Sequence, residues 1–211
     1  MSFFIQFLKH PVLTGSAVPS SKELAELITD IPSLHKKNCI VELGPGSGIF
    51  TGEILKKLST ESCFICLEIN PAFVSKIEDN YPDVNIYHAS AKDIKKYLLK
   101  HNKMSTDCII SALPWAGFNH HLQTEILDEI YDALEVGGEF LTIALLQGTF
   151  FPPGIKFKQM LKEKFRTVEK SKILWRNFPP AFIYHCIKSV SYTHLRAHET
   201  DSYLVCRLLL E

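Results

Sequence analysis

Charge of neither sign is in excess in this chain: Lys and Arg together number 23, Asp and Glu together number 23, and the formal net charge is zero. A dedicated RNA or DNA binder usually carries a basic surplus, so this balance argues against a nucleic-acid partner. Apolar runs long enough to cross a bilayer are missing too; the longest candidate, residues 140–151, contains Gln147 and Gly148. The N-terminus has no cationic start followed by a small-residue cleavage site, which reads against a secretory leader. Internal repeats and low-complexity segments are lacking. The six cysteines do not form a framework: Cys63 and Cys66 make a C-x-x-C inside a predicted strand, with no second pair. Cys39, Cys66 and Cys108 fall in predicted buried strands, so reduced core thiols in a cytosolic compartment are expected, with no metal site. What remains is the composition of an ordinary globular domain of 211 residues, 46% hydrophobic and 22% charged, large enough for one proper core.

One stretch organises the rest: Cys39-Ile40-Val41-Glu42-Leu43-Gly44-Pro45-Gly46-Ser47-Gly48. Apolar residues surround a single carboxylate, the pattern of a parallel-sheet strand buried on both faces. Glycines at alternate positions then allow a sharp turn and close approach of a ligand to the main chain. A helix over residues 49–58 follows, with Ile54, Leu55 and Leu58 on one face. Strand, glycine turn and helix make a nucleotide-type site, because free N–H groups point outward at the helix N-terminus. Dinucleotide enzymes show G-x-G-x-x-G, whereas the pattern here is E-x-G-x-G-x-G. The second strand, residues 63–69, ends in Glu68, twenty residues after Gly48, where an acid can accept hydrogen bonds from ribose hydroxyls. Together these features resemble the class I S-adenosylmethionine (SAM) methyltransferases, whose first loop passes under the methionine part and the adenosine. An NAD site and a plain structural turn are the alternatives.

Upstream, Ser20 and Glu23 stand at capping-box spacing before a helix whose buried face is Leu24, Leu27 and Ile28. Downstream, strands and helices alternate. A helix is expected over 71–81, opening on a proline. A strand over 84–88, a helix over 93–100 and a strand over 107–113 come next. The helix over 119–134 carries Leu122, Ile126, Ile130 and Leu134 at four-residue spacing, and Gly137-Gly138 is expected to stop it. A strand over 139–146 follows, and Pro152-Pro153-Gly154 is expected to break the chain. A basic helix over 156–165 then leads to strands over 167–175 and 182–188, joined through Asn177-Phe178-Pro179-Pro180 as a hairpin at the sheet edge. The fold class is therefore α/β: a Rossmann-like, seven-stranded, mostly parallel sheet with an antiparallel edge hairpin, right-handed crossovers and helices on both faces.

The fourth strand ends Ser111-Ala112-Leu113-Pro114-Trp115, beyond the carboxyl ends of the strands, where ligands of doubly wound sheets sit. Amine-modifying members of the class carry N/D-P-P-Y or N-L-P-Y here; Ser111 takes the place of the amide and Trp115 that of the tyrosine. An aromatic face stabilises a growing ammonium charge most in the transition state. The alternative is that Trp115 plugs the end of the sheet. Residues 14–21 (Thr-Gly-Ser-Ala-Val-Pro-Ser-Ser), 41–48, 111–115 and 175–182 (Trp-Arg-Asn-Phe-Pro-Pro-Ala-Phe) resemble the bacterial phospholipid N-methyltransferase family, itself similar to the rRNA adenine dimethyltransferases. The match covers residues 3–188. The resemblance implies SAM-dependent methylation of an amine lipid head group such as phosphatidylethanolamine. It implies cofactor contacts from Glu42, Gly44, Pro45, Gly46, Ser47, Gly48, Glu68, Ile69, Ser90 and Ala91, and a reaction site at Ser111, Leu113, Pro114 and Trp115. One departure is visible: many relatives have an aspartate where this chain has Ser90, and Asp93 could select the cofactor instead. His120 and His121 are candidate bases or helix caps; Lys156, Lys158, Arg166 and Arg176 are candidate partners of a lipid phosphate or an anionic bilayer surface, with a solvated basic face as the alternative for the first three.

Both ends are expected to differ from the domain between residues 31 and 188. Residues 1–30 form an amphipathic segment and cap, in which Phe3, Phe4, Phe7 and Leu8 share one helical face, a membrane anchor or a helix folded onto its own core. The family resemblance maps its membrane-docking helix there, which places the protein in the cytoplasm at the inner face of the cell membrane. Residues 189–211 form a tail whose segment 191–211 resembles the translation of a sequencing-adapter oligonucleotide; no function is assigned to it, including His194 and His198 at i, i+4 spacing, and a native extra strand is the alternative. Competing functions are a methyltransferase on an RNA adenine, a protein or a small amine, and a SAM-binding membrane module without turnover. The absence of a basic surplus disfavours RNA, and DNA is not expected as a partner.

Overall fold

In the computed structural model, residues 21–189 are described. The Phe3–Leu8 segment, Ser20 as a cap and the 191–211 tail lie outside them. The first helix, α1 (Lys22–Asp30), is capped by Ser21, whose side chain accepts a hydrogen bond from Leu24 N–H at 3.2 Å. The cap is thus one residue later than the capping-box spacing suggested. β1 (Cys39–Leu43) is buried along its whole length. α2 (Ile49–Lys57), β2 (Cys63–Glu68), α3 (Pro71–Asn80), β3 (Asn85–His88), α4 (Ile94–Lys100) and β4 (Thr106–Ser111) follow in alternation. α5 (His120–Ala133), β5 (Leu134–Leu145), α6 (Pro152–Lys164), β6 (Thr167–Lys170) and β7 (Ala181–Ile187) complete it.

The seven strands form one sheet in the order β3-β2-β1-β4-β5-β7-β6. β1 to β5 pair in parallel, and β7 runs antiparallel between β5 and β6. β6 and β3 are therefore the edge strands and β7 is interior. Alternation along the strands feeds two cores. Val41, Leu43, Ile65, Leu67, Ile109 and Phe140 face α4, α5 and α6; Ile40, Cys66, Cys108, Ile110 and Leu141 face α1, α2 and α3. Two apolar faces per strand explain the near-continuous hydrophobic runs.

Two breaks lie elsewhere than expected. α5 ends at Ala133, and Leu134 is already extended and paired with Thr106. Gly137 and Gly138 lie within β5, where the register against β4 shifts; Gly137, at φ +80°, makes the irregularity that glycine tolerates. Pro152 and Pro153 open α6 rather than breaking the chain, since a first-turn proline gives up an N–H that has no helical partner anyway. Gly154 is needed there because a Cβ would lie 2.1 Å from the Gly148 carbonyl oxygen. β6 is only four residues long, and Leu174 makes a single bridge to Ala181. Among the described residues no helix is long and apolar enough to cross a membrane. The described cysteines are free, and among the described residues no group of three or more His, Cys, Asp or Glu is placed to hold a metal.

Candidate active site

The parallel strands deliver their carboxyl ends to one rim. β1 ends in the loop Gly44–Gly48, and all three glycines have positive φ: +71° at Gly44, +53° at Gly46 and +87° at Gly48. Gly48 caps α2, and a Cβ there would meet Ile77 Cδ1 at 2.7 Å. Gly46 differs: a Cβ would find nothing nearer than the Gly44 carbonyl oxygen at 4.0 Å. Its side is open, with only the backbone conformation asking for glycine. Pro45 is buried and its carbonyl accepts from Gly48 N–H, closing the turn beside half-buried Ser47.

Glu68, at the end of β2, reaches across to this loop. Its Oε2 accepts from Gly46 N–H at 3.1 Å and its Oε1 from Asn70 N–H at 2.9 Å. Burial raises its carboxyl above the ordinary value, against the lowering effect of those N–H donors. Each oxygen keeps a further lone pair for a ribose hydroxyl. Ile69 beside it is an exposed apolar residue. β3 pairs Glu68 with His88, so Ser90 and Ala91 reach the same rim. Ser90 Oγ accepts from Lys92 N–H while Asp93 accepts from Ser90 N–H, a reciprocal cap that occupies one Asp93 oxygen. Asp93 therefore helps shape the Ser90 turn, which leaves it less free to select a cofactor.

Glu42 is wholly buried beneath the loop. Thr51 Oγ1 donates to its Oε2 at 2.8 Å and the Cys66 thiol donates to the same oxygen at 3.4 Å. Its Oε1 has no hydrogen-bond partner among the described residues, and burial pushes the carboxyl up to about 7. An unpaired buried acceptor costs about 1–3 kcal/mol, a cost that a cationic ligand group could remove.

The other half of the rim is built differently. Ser111 is fully buried, and its Oγ accepts from Leu113 N–H at 3.3 Å. The hydroxyl thus helps close its own turn at the head of the Leu113–Trp115 segment. Trp115 is 3% exposed. Its ring stacks on Phe157 at 4.3 Å and meets Phe118 and Phe140 edge-on, and its indole N–H donates to Thr142 Oγ1 at 2.9 Å. Thr142 in turn donates to the Ser111 carbonyl, and Gln123 Nε2 donates to the Trp115 carbonyl. The ring is a packing plug, not a free face over a substrate nitrogen, because α6 brings Phe157 onto it. Leu113 does reach the cofactor half: a Cβ on Gly44 would lie 3.0 Å from Leu113 Cδ2. Leu113 and Pro114 are half-buried, and their carbonyls accept from Trp115 N–H and Gly117 N–H.

Asn119, not a histidine, caps α5 by accepting from Leu122 N–H. His120 and His121 are exposed, and His121 lies 3.8 Å from Glu125. Arg166 joins β6 at the opposite rim, its N–H bonded to the Ile187 carbonyl, so it is remote from the site. Lys156 lies near the start of α6 and Arg176 in the β6–β7 connection, both on the site's own rim; Lys158 lies a half-turn further along α6. Tyr81 was missed by sequence reading. Its hydroxyl donates to the Gly48 carbonyl, and only the packing of α3 on α2 brings it there.

Sheet order, glycine loop and β2 acid together give the Rossmann-like architecture seen in SAM-dependent methyltransferases. Comparison with known proteins agrees. The chain is 25% identical over 188 residues to an ornithine lipid N-methyltransferase of Singulisphaera acidiphila, covering 87% of this chain and 93% of that one. A SAM-dependent O-methyltransferase of Thermotoga maritima superposes with a TM-score of 0.60 at 15% identity, over 90% of this chain and 72% of that one. An O-methyltransferase of Bacillus cereus in complex with SAH superposes with a TM-score of 0.64 at 12% identity, over 88% and 90%. No protein-family model matches the chain.

Proposed function

We propose that this protein methylates the amine of a lipid head group, of the phosphatidylethanolamine kind. The observation that carries the reading is the near full-length similarity to an ornithine lipid N-methyltransferase, which spans both halves of the rim. SAM, when bound, supplies a methyl group on a sulfonium, open to in-line attack by a neutral amine. The residues present fit it: an open side at Gly46, an acid with spare lone pairs at Glu68, and an unpaired buried acceptor at Glu42. Gly44, Pro45, Gly46, Ser47 and Gly48 would hold the methionine part and Glu68 the ribose. Ile69, Ser90 and Ala91 would border the adenine.

The substrate half works by position. The Leu113 and Pro114 carbonyls each keep a lone pair able to accept from an amine N–H. Trp115, Thr142 and Gln123 fix that turn from behind, so the two carbonyls are pre-set. Correct placement of two reactants is worth up to about 7–11 kcal/mol in well-oriented cases. In this role Trp115 is a positioning residue. The test is to incubate the full chain with methyl-labelled SAM and, in parallel, total bacterial lipid or total RNA. Label is expected in an amine lipid; label in RNA alone would move the target to a nucleobase.

A further inference from the structure

We infer that the connections β5–α6 and β6–β7, with the start of α6, form a docking face for an anionic bilayer surface; this rests on the lipid-amine reading above. β5 leaves the sheet at Leu145 on the rim that carries the glycine loop, and antiparallel β7 enters from the same rim at Ala181, its partner. Leu146 N–H donates to the Pro180 carbonyl at 2.8 Å, tying the two connections at their base. Beyond that tie, the large apolar residues turn outward: Phe150 is 73% exposed, Phe151 60%, Ile155 54%, Trp175 69% and Phe178 78%. The first connection also abuts the reaction turn, since a Cβ on Gly148 would lie 3.1 Å from Ala116 Cβ.

Charge selects the occupant. Residues 140–162 and 170–189 contain no Asp or Glu. They do contain Lys156, Lys172 and Arg176, which are exposed and in no ion pair among the described residues. Aromatic side chains with unpaired cations and no acids suit the interface of a membrane containing anionic lipid. Seated there, the reaction turn would meet head groups without a lipid leaving the bilayer.

The tryptophans give a local test. The chain has two, and Trp115 is already buried, so a change in emission reports on Trp175. With vesicles of phosphatidylethanolamine and phosphatidylglycerol, emission should shift to the blue and be quenched by lipids brominated high on the acyl chain. Trp175→Ser should abolish both signals. Phe150→Ser with Phe178→Ser should weaken vesicle binding about tenfold or more. Melting temperature and SAM affinity should stay, since both positions are exposed. Unquenched wild-type emission, or undiminished vesicle binding by the double variant, would overturn the docking face. A blue shift that grows with protein concentration without lipid would overturn it too, in favour of a second copy of the chain. Methyl transfer to a short-chain amine lipid below its micelle concentration separates the two readings. Quenching without any transfer upholds the docking face and sinks the lipid substrate; transfer without quenching does the reverse.

Discussion

The rim of the sheet has two halves built on opposite plans. Between β1 and β2 the machinery is backbone: positive-φ glycines, a loop N–H held by Glu68, and a second acid, Glu42, buried beneath them. Between β4 and β5 it is packing: a serine folded into its own turn and a tryptophan stacked into the core. A backbone site must leave space, so it retains an open flank at Gly46 and an unpaired oxygen at Glu42. A packed site fills space, so its residues act by fixing the carbonyls in front of them. Residue types alone do not separate these plans, since a tryptophan beside a substrate and one beneath it are written with the same letter.

The largest effect should come from the packed half. Trp115→Ala removes a ring that is 3% exposed and touches three other aromatic rings. Large aromatic truncations in cores cost about 3–5 kcal/mol. For a domain of this size that corresponds to a fall in melting temperature of about 10 °C. Thermal unfolding of the variant checks this, and Trp115→Phe should recover most of the loss. A variant that melts like wild type yet transfers no methyl group would return the ring to the substrate and dissolve the contrast.

The same contrast explains what was legible in the sequence. The E-x-G-x-G-x-G loop and Glu68 could be read because glycine and acid spacing report backbone conformation directly. The alternation of strands and helices could be read because each buried strand is an unbroken apolar run. The ends of elements were harder. Gly137-Gly138 reads as a helix stop, but Leu134 leaves α5 first, because pairing with Thr106 claims it for the sheet. Pro152-Pro153 reads as a break, but the two prolines sit in the first turn, where proline costs nothing. The state of Trp115 was not legible at all, because Phe157 reaches it from 42 residues away on another helix.

The acids of the cofactor half should carry a pH signature. Burial raises the Glu42 carboxyl from 4.5 to about 7 in the folded state. A raised acid binds its proton more tightly folded than unfolded, so stability should fall as pH rises from about 4.5 to about 7 and then level off. The loss should approach about 3 kcal/mol at most. Glu68 is raised in the same direction and adds to the slope. Glu42→Gln keeps the shape and removes the charge, so the difference between wild-type and variant stability, by denaturant titration across that range, isolates one residue. A difference curve that is flat would mean Glu42 stays ionised beneath the loop.

The smallest effect is also the sharpest test, because it compares two additions of a single methyl group. Gly46→Ala and Gly48→Ala both force a side chain onto positive φ, at about 1–2 kcal/mol each. At Gly48 the new Cβ also meets Ile77 Cδ1 at 2.7 Å and Tyr81 Cε2 at 3.1 Å, so those two side chains must shift. At Gly46 it meets only open space, the side on which a ligand would lie. Gly48→Ala should therefore show the larger fall in melting temperature. Gly46→Ala should show the larger loss of SAM affinity by isothermal titration, about tenfold if contact with the ligand adds about 1.4 kcal/mol. Were the two variants to lose stability and affinity in equal proportion, the open flank at Gly46 would be an incidental gap. The loop would then have to meet SAM on a side other than the Gly46 flank.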